Sequence, residues 1–134
     1  MAASTRCELA VLLVDDKAIR ALNRDWRGQD EPTNVLSFPA RSGLAADPPA
    51  GRSRGRIPLL GDIVIAYETT AREALAAHMP FRHHFAHLAV HGFLHLVGHD
   101  HEAEAAAEAM EALEIAVLAR LEVPDPYAMR DAAP

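Results

Sequence analysis

The chain has 134 residues, half of them hydrophobic and 24% charged, an ordinary globular composition for a single domain over residues 1–134 with one core. No apolar run is long enough to cross a bilayer, residues 1–6 lack the apolar segment of a signal peptide, and the lone Cys7 has no partner for an internal disulfide. A cytoplasmic protein with no membrane partner is the expectation. The net charge of −6 is uneven: residues 1–90 carry 11 Lys+Arg against 10 Asp+Glu, and residues 91–134 carry 2 against 9. An acidic whole argues against nucleic acid, but the arginine-bearing first part leaves room for a local positive groove.

Residues 8–14 (ELAVLLV) read as a short buried strand, with Cys7 a small buried residue in it. Asp15 and Asp16 offer an N-cap for a helix whose apolar face holds Ile19, Leu22 and Trp26 and which Gly28 closes. Residues 35–38 form a second short strand, stopped by Pro39. Residues 40–57 contain Pro48, Pro49 and Arg52, Arg54 and Arg56, the composition of a mobile surface loop. Residues 59–66 (LLGDIVIA) read as a third strand. Thr69 and Thr70 then cap a helix running to Ala77, residues 82–97 form a histidine-bearing helix, and residues 102–121 form a last helix with Met110, Leu113, Val117 and Leu121 as its core stripe. Three strands among four helices predict an α+β fold, a small mostly buried sheet packed with helices, with a zinc site at a helix end beside a cleft.

The run His91-Gly92-Phe93-Leu94-His95-Leu96-Val97-Gly98-His99-Asp100-His101 carries the chemistry. His91 and His95, at i and i+4, share a helix face. Gly98 ends the helix cheaply by adopting a left-handed conformation, and the returning chain lets His101 supply a third imidazole. Three neutral imidazoles leave one vertex of a tetrahedral zinc ion open, the arrangement of a catalytic site, with one zinc per chain. Burying three imidazoles without a shared partner would instead leave polar nitrogens unpaired at roughly 1–3 kcal/mol each.

The spacing matches the zinc-peptidase pattern H-E-x-x-H-x-x-G-x-x-H except at one position: Gly92 replaces the glutamate that serves as general base. A dication held by three neutral ligands, without that nearby carboxylate, favours an anionic phosphodiester over a neutral amide. Asp100 either orients a ligand imidazole or caps the last helix. His87, one turn before His91, is a further candidate to support a ligand, while His83 and His84 read as surface residues. A non-catalytic RNA- or ribosome-binding protein with structural zinc, and a metallopeptidase with its base from elsewhere, are the competing readings.

Residues 91–101 resemble the signature His-Gly-x-Leu-His-Leu-x-Gly-Tyr-Asp-His of the YbeY family of bacterial endoribonucleases, with His99 in the tyrosine place. The resemblance extends to Leu22-Asn23, Trp26-Arg27-Gly28, residues 32–39 (PTNVLSFP), residues 60–65 (LGDIVI), residues 110–114 (MEALE) and residues 124–127 (PDPY). It implies a metal-dependent endoribonuclease selective for single strands. Its expected role is ribosomal RNA processing, including maturation of the 3′ end of the small-subunit RNA, and ribosome quality control. The ribosome or small-subunit proteins are the implied partners, and DNA is not. Zinc would sit on His91, His95 and His101, and Arg27 would stand in the place of the family's functional arginine, gripping phosphate through its fork of donors. Asn34, Ser37 and Asp62 would shape the cleft. His99 is either an aromatic replacement or an added ligand or proton donor. Family members typically carry an additional strand and helix before the segment that starts at Glu8, so an exposed sheet edge is expected here.

Overall fold

The structure, a computed structural model, describes residues 7–40, 59–99 and 103–128. The predicted loop beyond Ala40, Asp100 and His101 lie outside them. In chain order the elements are β1 (Glu8–Val14), α1 (Asp16–Arg27), β2 (Val35–Pro39), β3 (Leu59–Ala66), α2 (Tyr67–Ala76), α3 (Phe81–Leu96) and α4 (Glu104–Arg120). This is the expected α+β fold.

The three strands form one sheet in the order β1-β3-β2, with β1 parallel and β2 antiparallel to the central β3. Alternation along β3 sorts its side chains between two layers. Val64 and Ala66 join Ile19 of α1 and Leu36 of β2, whereas Ile63 and Ile65 join Leu88 of α3. A third apolar cluster, Val90, Leu94, Met110 and Leu118, glues α4 to the outer side of α3. Helix α3 is therefore covered by the sheet on one side and by α4 on another.

Capping follows the sequence at α1, where the Ala18 N–H donates to Asp15 Oδ1 at 2.8 Å and Gly28 ends the helix with φ 72°. Gly98, at φ 104°, ends α3: the His99 N–H reaches Leu94 O at 3.0 Å and the Gly98 N–H reaches His95 O at 3.1 Å, the paired bonds of a Schellman turn.

Several expectations are corrected. β1 is not buried: Val11, Leu12 and Leu13 are each more than 40% exposed, because among the described residues this strand has β3 as its one neighbour, and an apolar run reads alike at the centre and the edge of a sheet. Cys7 is exposed. Trp26, in the last turn of α1, is 70% exposed and meets the sheet only through an edge-on contact with Phe38 of β2, with ring centroids 5.9 Å apart, among the described residues. Helix α2 starts before the threonines, after an N-cap at Ala66 with no side-chain bond. Thr70 instead donates back to Ala66 O at 2.5 Å, and Thr69 donates to Asp16 Oδ1 of α1 at 2.8 Å. On α4 the buried residues are Met110, Glu114 and Leu118, and Leu113 and Leu121 are exposed. The inward face is thus rotated from the predicted stripe and admits a carboxylate. Its N-cap is Ala103, with no side-chain cap bond.

Candidate metal centre and cleft

With two of its sides covered by apolar contacts, α3 is left with a third face, and His84, His87, His91 and His95 fall on it at i, i+3, i+7 and i+11. The rings of His91 and His95 lie 4.6 Å apart at 77°, and their Nε2 atoms are separated by 3.1 Å. Two nitrogens each about 2.0–2.1 Å from one tetrahedral ion stand roughly 3.3 Å apart, so this pair fits a shared zinc. Among the described residues no set of three His, Cys, Asp or Glu side chains has the arrangement to hold a metal. His101, the third donor expected from the sequence, lies outside the described residues.

Behind the pair stands a residue that the sequence reading placed on no site. Glu114 of α4 is 1% exposed, and its Oε2 lies 2.5 Å from His91 Nδ1 while its Oε1 lies 3.0 Å from His87 Nε2. The Tyr127 hydroxyl donates to the same Oε1, and Tyr127 Oη is also 3.2 Å from His87 Nε2. Burial pushes this carboxyl up, but the hydrogen bonds from His87, His91 and Tyr127 outweigh burial and hold it well below the ordinary carboxylate range. Glu114 is therefore an acceptor, which calls for a proton on His91 Nδ1; in the neutral ring this leaves the Nε2 lone pair directed toward His95. His87 shares this carboxylate with His91, and their rings stand edge-on 6.4 Å apart. The signal available in the sequence was the glutamate within the residues 110–114 segment together with Tyr127, both inside stretches that had been matched but given no role.

The remaining predicted residues divide. Arg27, Asn34, Val35, Leu36, Ser37, His91 and His95 line one cleft of about 360 Å³. The last turn of α1 brings Arg27 there, and its guanidinium Nη1 lies 3.4 Å from Oδ1 of the buried Asn23. Asn23 in turn donates to Glu31 O at 2.9 Å and accepts the Gln29 N–H on its own backbone carbonyl at 3.2 Å, so it ties the arginine to the turn that leads into β2. Ser37 donates to Gly92 O at 3.1 Å, and Asn34 donates to Glu73 Oε1 at 3.1 Å. His84 is not a surface residue: its Nε2 stands 2.7 Å from that same Glu73 oxygen. Asp62 does not shape the cleft. It is exposed and alternates with Ile63, which places it on the α1 face with Val64 and Ala66.

Strand β2 supplies the cleft wall in an unusual way. The Ala66 N–H donates to Asn34 O at 2.9 Å and the Ala40 N–H to Leu60 O at 3.1 Å, so the even-numbered residues of this stretch bond inward to β3. Antiparallel alternation then turns the backbone groups of Val35 and Ser37 outward, into the cleft beside the histidines.

Gly92 has a structural reason. A Cβ there would lie 2.8 Å from Ile63 Cγ2 and 2.9 Å from Ser37 Oγ, so a glutamate at this position would point into the sheet. The peptidase base is excluded by packing, not merely missing.

The fold and the cleft define a small α+β protein in which a paired-imidazole centre faces an arginine across a groove walled by a sheet edge. Comparison with known proteins identifies the family. A sequence model of the family described as Endoribonuclease YbeY matches residues 1–122. Relatives named Endoribonuclease YbeY include one from Rhodopseudomonas palustris strain BisA53, 60% identical over 94% of this chain and 70% of its own length. Another, from Bradyrhizobium sp. strain BTAi1, is 59% identical over 92% of this chain and 71% of its own. The solution structure of TM1509 from Thermotoga maritima superposes with a TM-score of 0.50 at 26% identity, covering 87% of this chain and 71% of that one. The chain belongs to the YbeY endoribonuclease family, and so to the hydrolases that act on RNA. No helix among the described residues is long and apolar enough to cross a membrane.

Proposed function

We propose that this chain is a zinc-dependent endoribonuclease of single-stranded RNA that acts in ribosomal RNA processing in the cytoplasm, in contact with the ribosome or its small-subunit proteins. The observation that carries this reading is that Arg27 and the facing nitrogens of His91 and His95 line the same cleft. His91, His95 and His101 would hold one zinc ion, whose chemistry when bound is Lewis acidity and the activation of a water at neutral pH. Arg27 binds a non-bridging phosphate oxygen pair through its planar donors and sets the scissile phosphodiester against the centre. Asn23 restricts where that guanidinium can swing.

The preference for single strands follows from the wall. The outward N–H and C=O groups of Val35 and Ser37 present a row of donors and acceptors to an extended chain, whose unstacked bases and phosphates can meet them. A duplex keeps its base edges turned inward and cannot lie along a strand edge in this way. Gly92 speaks against peptide hydrolysis, since no carboxylate can stand where that mechanism puts its base.

The test uses the purified protein with equimolar zinc. It should cleave a single-stranded RNA, leave the corresponding duplex and casein intact, and lose activity with chelator. Metal-independent cleavage, or RNA binding without cleavage, would contradict the proposal.

A further inference from the structure

The buried carboxylate of Glu114 has no part in binding RNA, and its placement is costly. Above and below it on α4, Met110 and Leu118 complete the apolar contact with α3, so a leucine at this position would continue that contact without burying a charge. Replacing a whole buried ionic group and its partners by apolar residues is often neutral or stabilising, whereas removing Glu114 alone strips His87, His91 and Tyr127 of their shared acceptor. What an apolar residue cannot provide is an acceptor for His91 Nδ1.

We infer that Glu114 is a positioning residue for the metal centre: by taking the Nδ1 proton of His91 into a 2.5 Å hydrogen bond it holds the ring in one tautomer and one orientation, with Nε2 facing His95. The inference rests on the metal reading given above. The geometry is that of a carboxylate–histidine–metal relay, in which the outer acceptor fixes the ligand tautomer and raises its basicity. Tyr127 and His87 are the second tier. Both engage Oε1, which leaves Oε2 to His91 and prevents the carboxylate from rotating between partners. Tyr127 itself is held by the bond from its N–H to Asp125 Oδ1 at 2.8 Å. The segment after α4 thereby closes on the histidine face of α3 and becomes part of the centre.

The experiment compares the wild-type chain with Glu114→Gln, Glu114→Leu and Tyr127→Phe. Long-range ¹⁵N–¹H spectra of the metal-free proteins report the His91 tautomer, and zinc affinity is measured by competition with a chromophoric chelator. Circular dichroism and thermal unfolding report the fold. Wild-type His91 should show the Nδ1–H form. Glu114→Leu should lose that preference and bind zinc about 10–100-fold more weakly while remaining folded. Glu114→Gln, whose carbonyl can still accept from Nδ1, should keep the tautomer and fall between, and Tyr127→Phe should weaken binding less than Glu114→Leu does. If Glu114→Leu does not fold, the tautomer and affinity of Glu114→Gln and Tyr127→Phe decide. Zinc bound as tightly by the folded variants as by the wild type would overturn the role of Glu114 and leave the metal reading standing. A wild-type chain that binds no zinc would overturn both.

Discussion

Replacing Gly92 by alanine is the most revealing single change, because two well-calibrated effects oppose each other there. In the middle of an exposed helix, Gly→Ala gains about 1 kcal/mol from backbone propensity. Here the new Cβ would stand 2.8 Å from Ile63 Cγ2 and 2.9 Å from Ser37 Oγ, roughly 1 Å inside ordinary carbon contact. Ile63 is fully buried on the central strand and has nowhere to go, so α3 must lift off the sheet. Lifting it breaks the Ser37 bond to Gly92 O, worth about 1 kcal/mol, which offsets the propensity gain. What remains is the overpacking itself, about 1–3 kcal/mol. Urea unfolding of the metal-free chain should therefore show Gly92→Ala less stable by about that amount, with an unchanged m-value. Because His91 and His95 ride on the lifted segment, its zinc affinity should fall as well. A variant as stable as the wild type, or more so, would refute the packing argument and with it the steric exclusion of a glutamate at this site.

Four other outcomes follow. Arg27→Ala should lower cleavage of single-stranded RNA by roughly 10²-fold or more, the scale for losing one charge-stabilising group in a transition state, while zinc content measured by atomic absorption stays at the wild-type value; equal activity would remove Arg27 from the mechanism. Asn23→Ala should cost about 0.5–1.5 kcal/mol in urea unfolding, the net value of its bond to the Glu31 carbonyl, and should raise KM more than it lowers kcat by freeing Arg27. Asp15→Ala should cost about 0.5–2 kcal/mol as a lost N-cap. The partly exposed Asp16 gives a pH dependence: burial pushes its carboxyl up, but the bonds from Thr69 and Arg72 outweigh burial and hold it below its ordinary value. A carboxylate depressed in the folded state stabilises above its unfolded pKa and loses that contribution as pH falls through the folded pKa. The stability gap between wild type and Asp16→Asn should thus be full at neutral pH and shrink below about pH 4; a gap that widened on acidification would contradict the sign.

Much of the fold was legible because local chemistry dictated it. Asp15 and Gly28 bracket α1 as capping rules require, and β1 and β3 begin and end where their apolar runs do. The pairing of His91 with His95 was legible for the same reason, being a matter of helical spacing. What the chain hid was long-range. The exposure of β1 depends on sheet order, which no local pattern encodes. The inward turn of Glu114 depends on partners 13, 23 and 27 residues away, and a periodicity reading treats any glutamate as a solvated face. Gly92 was understood as a lost base, but its packing against Ile63 shows only once β3 and α3 are brought together.

The central claim is three imidazoles gathered about one ion with a vertex left for solvent, of which His91 and His95 stand edge to face with their Nε2 atoms 3.1 Å apart. X-ray absorption at the zinc edge of the loaded protein addresses it most directly. The expected spectrum has three imidazole nitrogens at about 2.0–2.1 Å and one light, exchangeable oxygen, reduced by one imidazole in each of His91→Ala, His95→Ala and His101→Ala. A fourth protein ligand completing the shell, or no stoichiometric zinc at all, would contradict it.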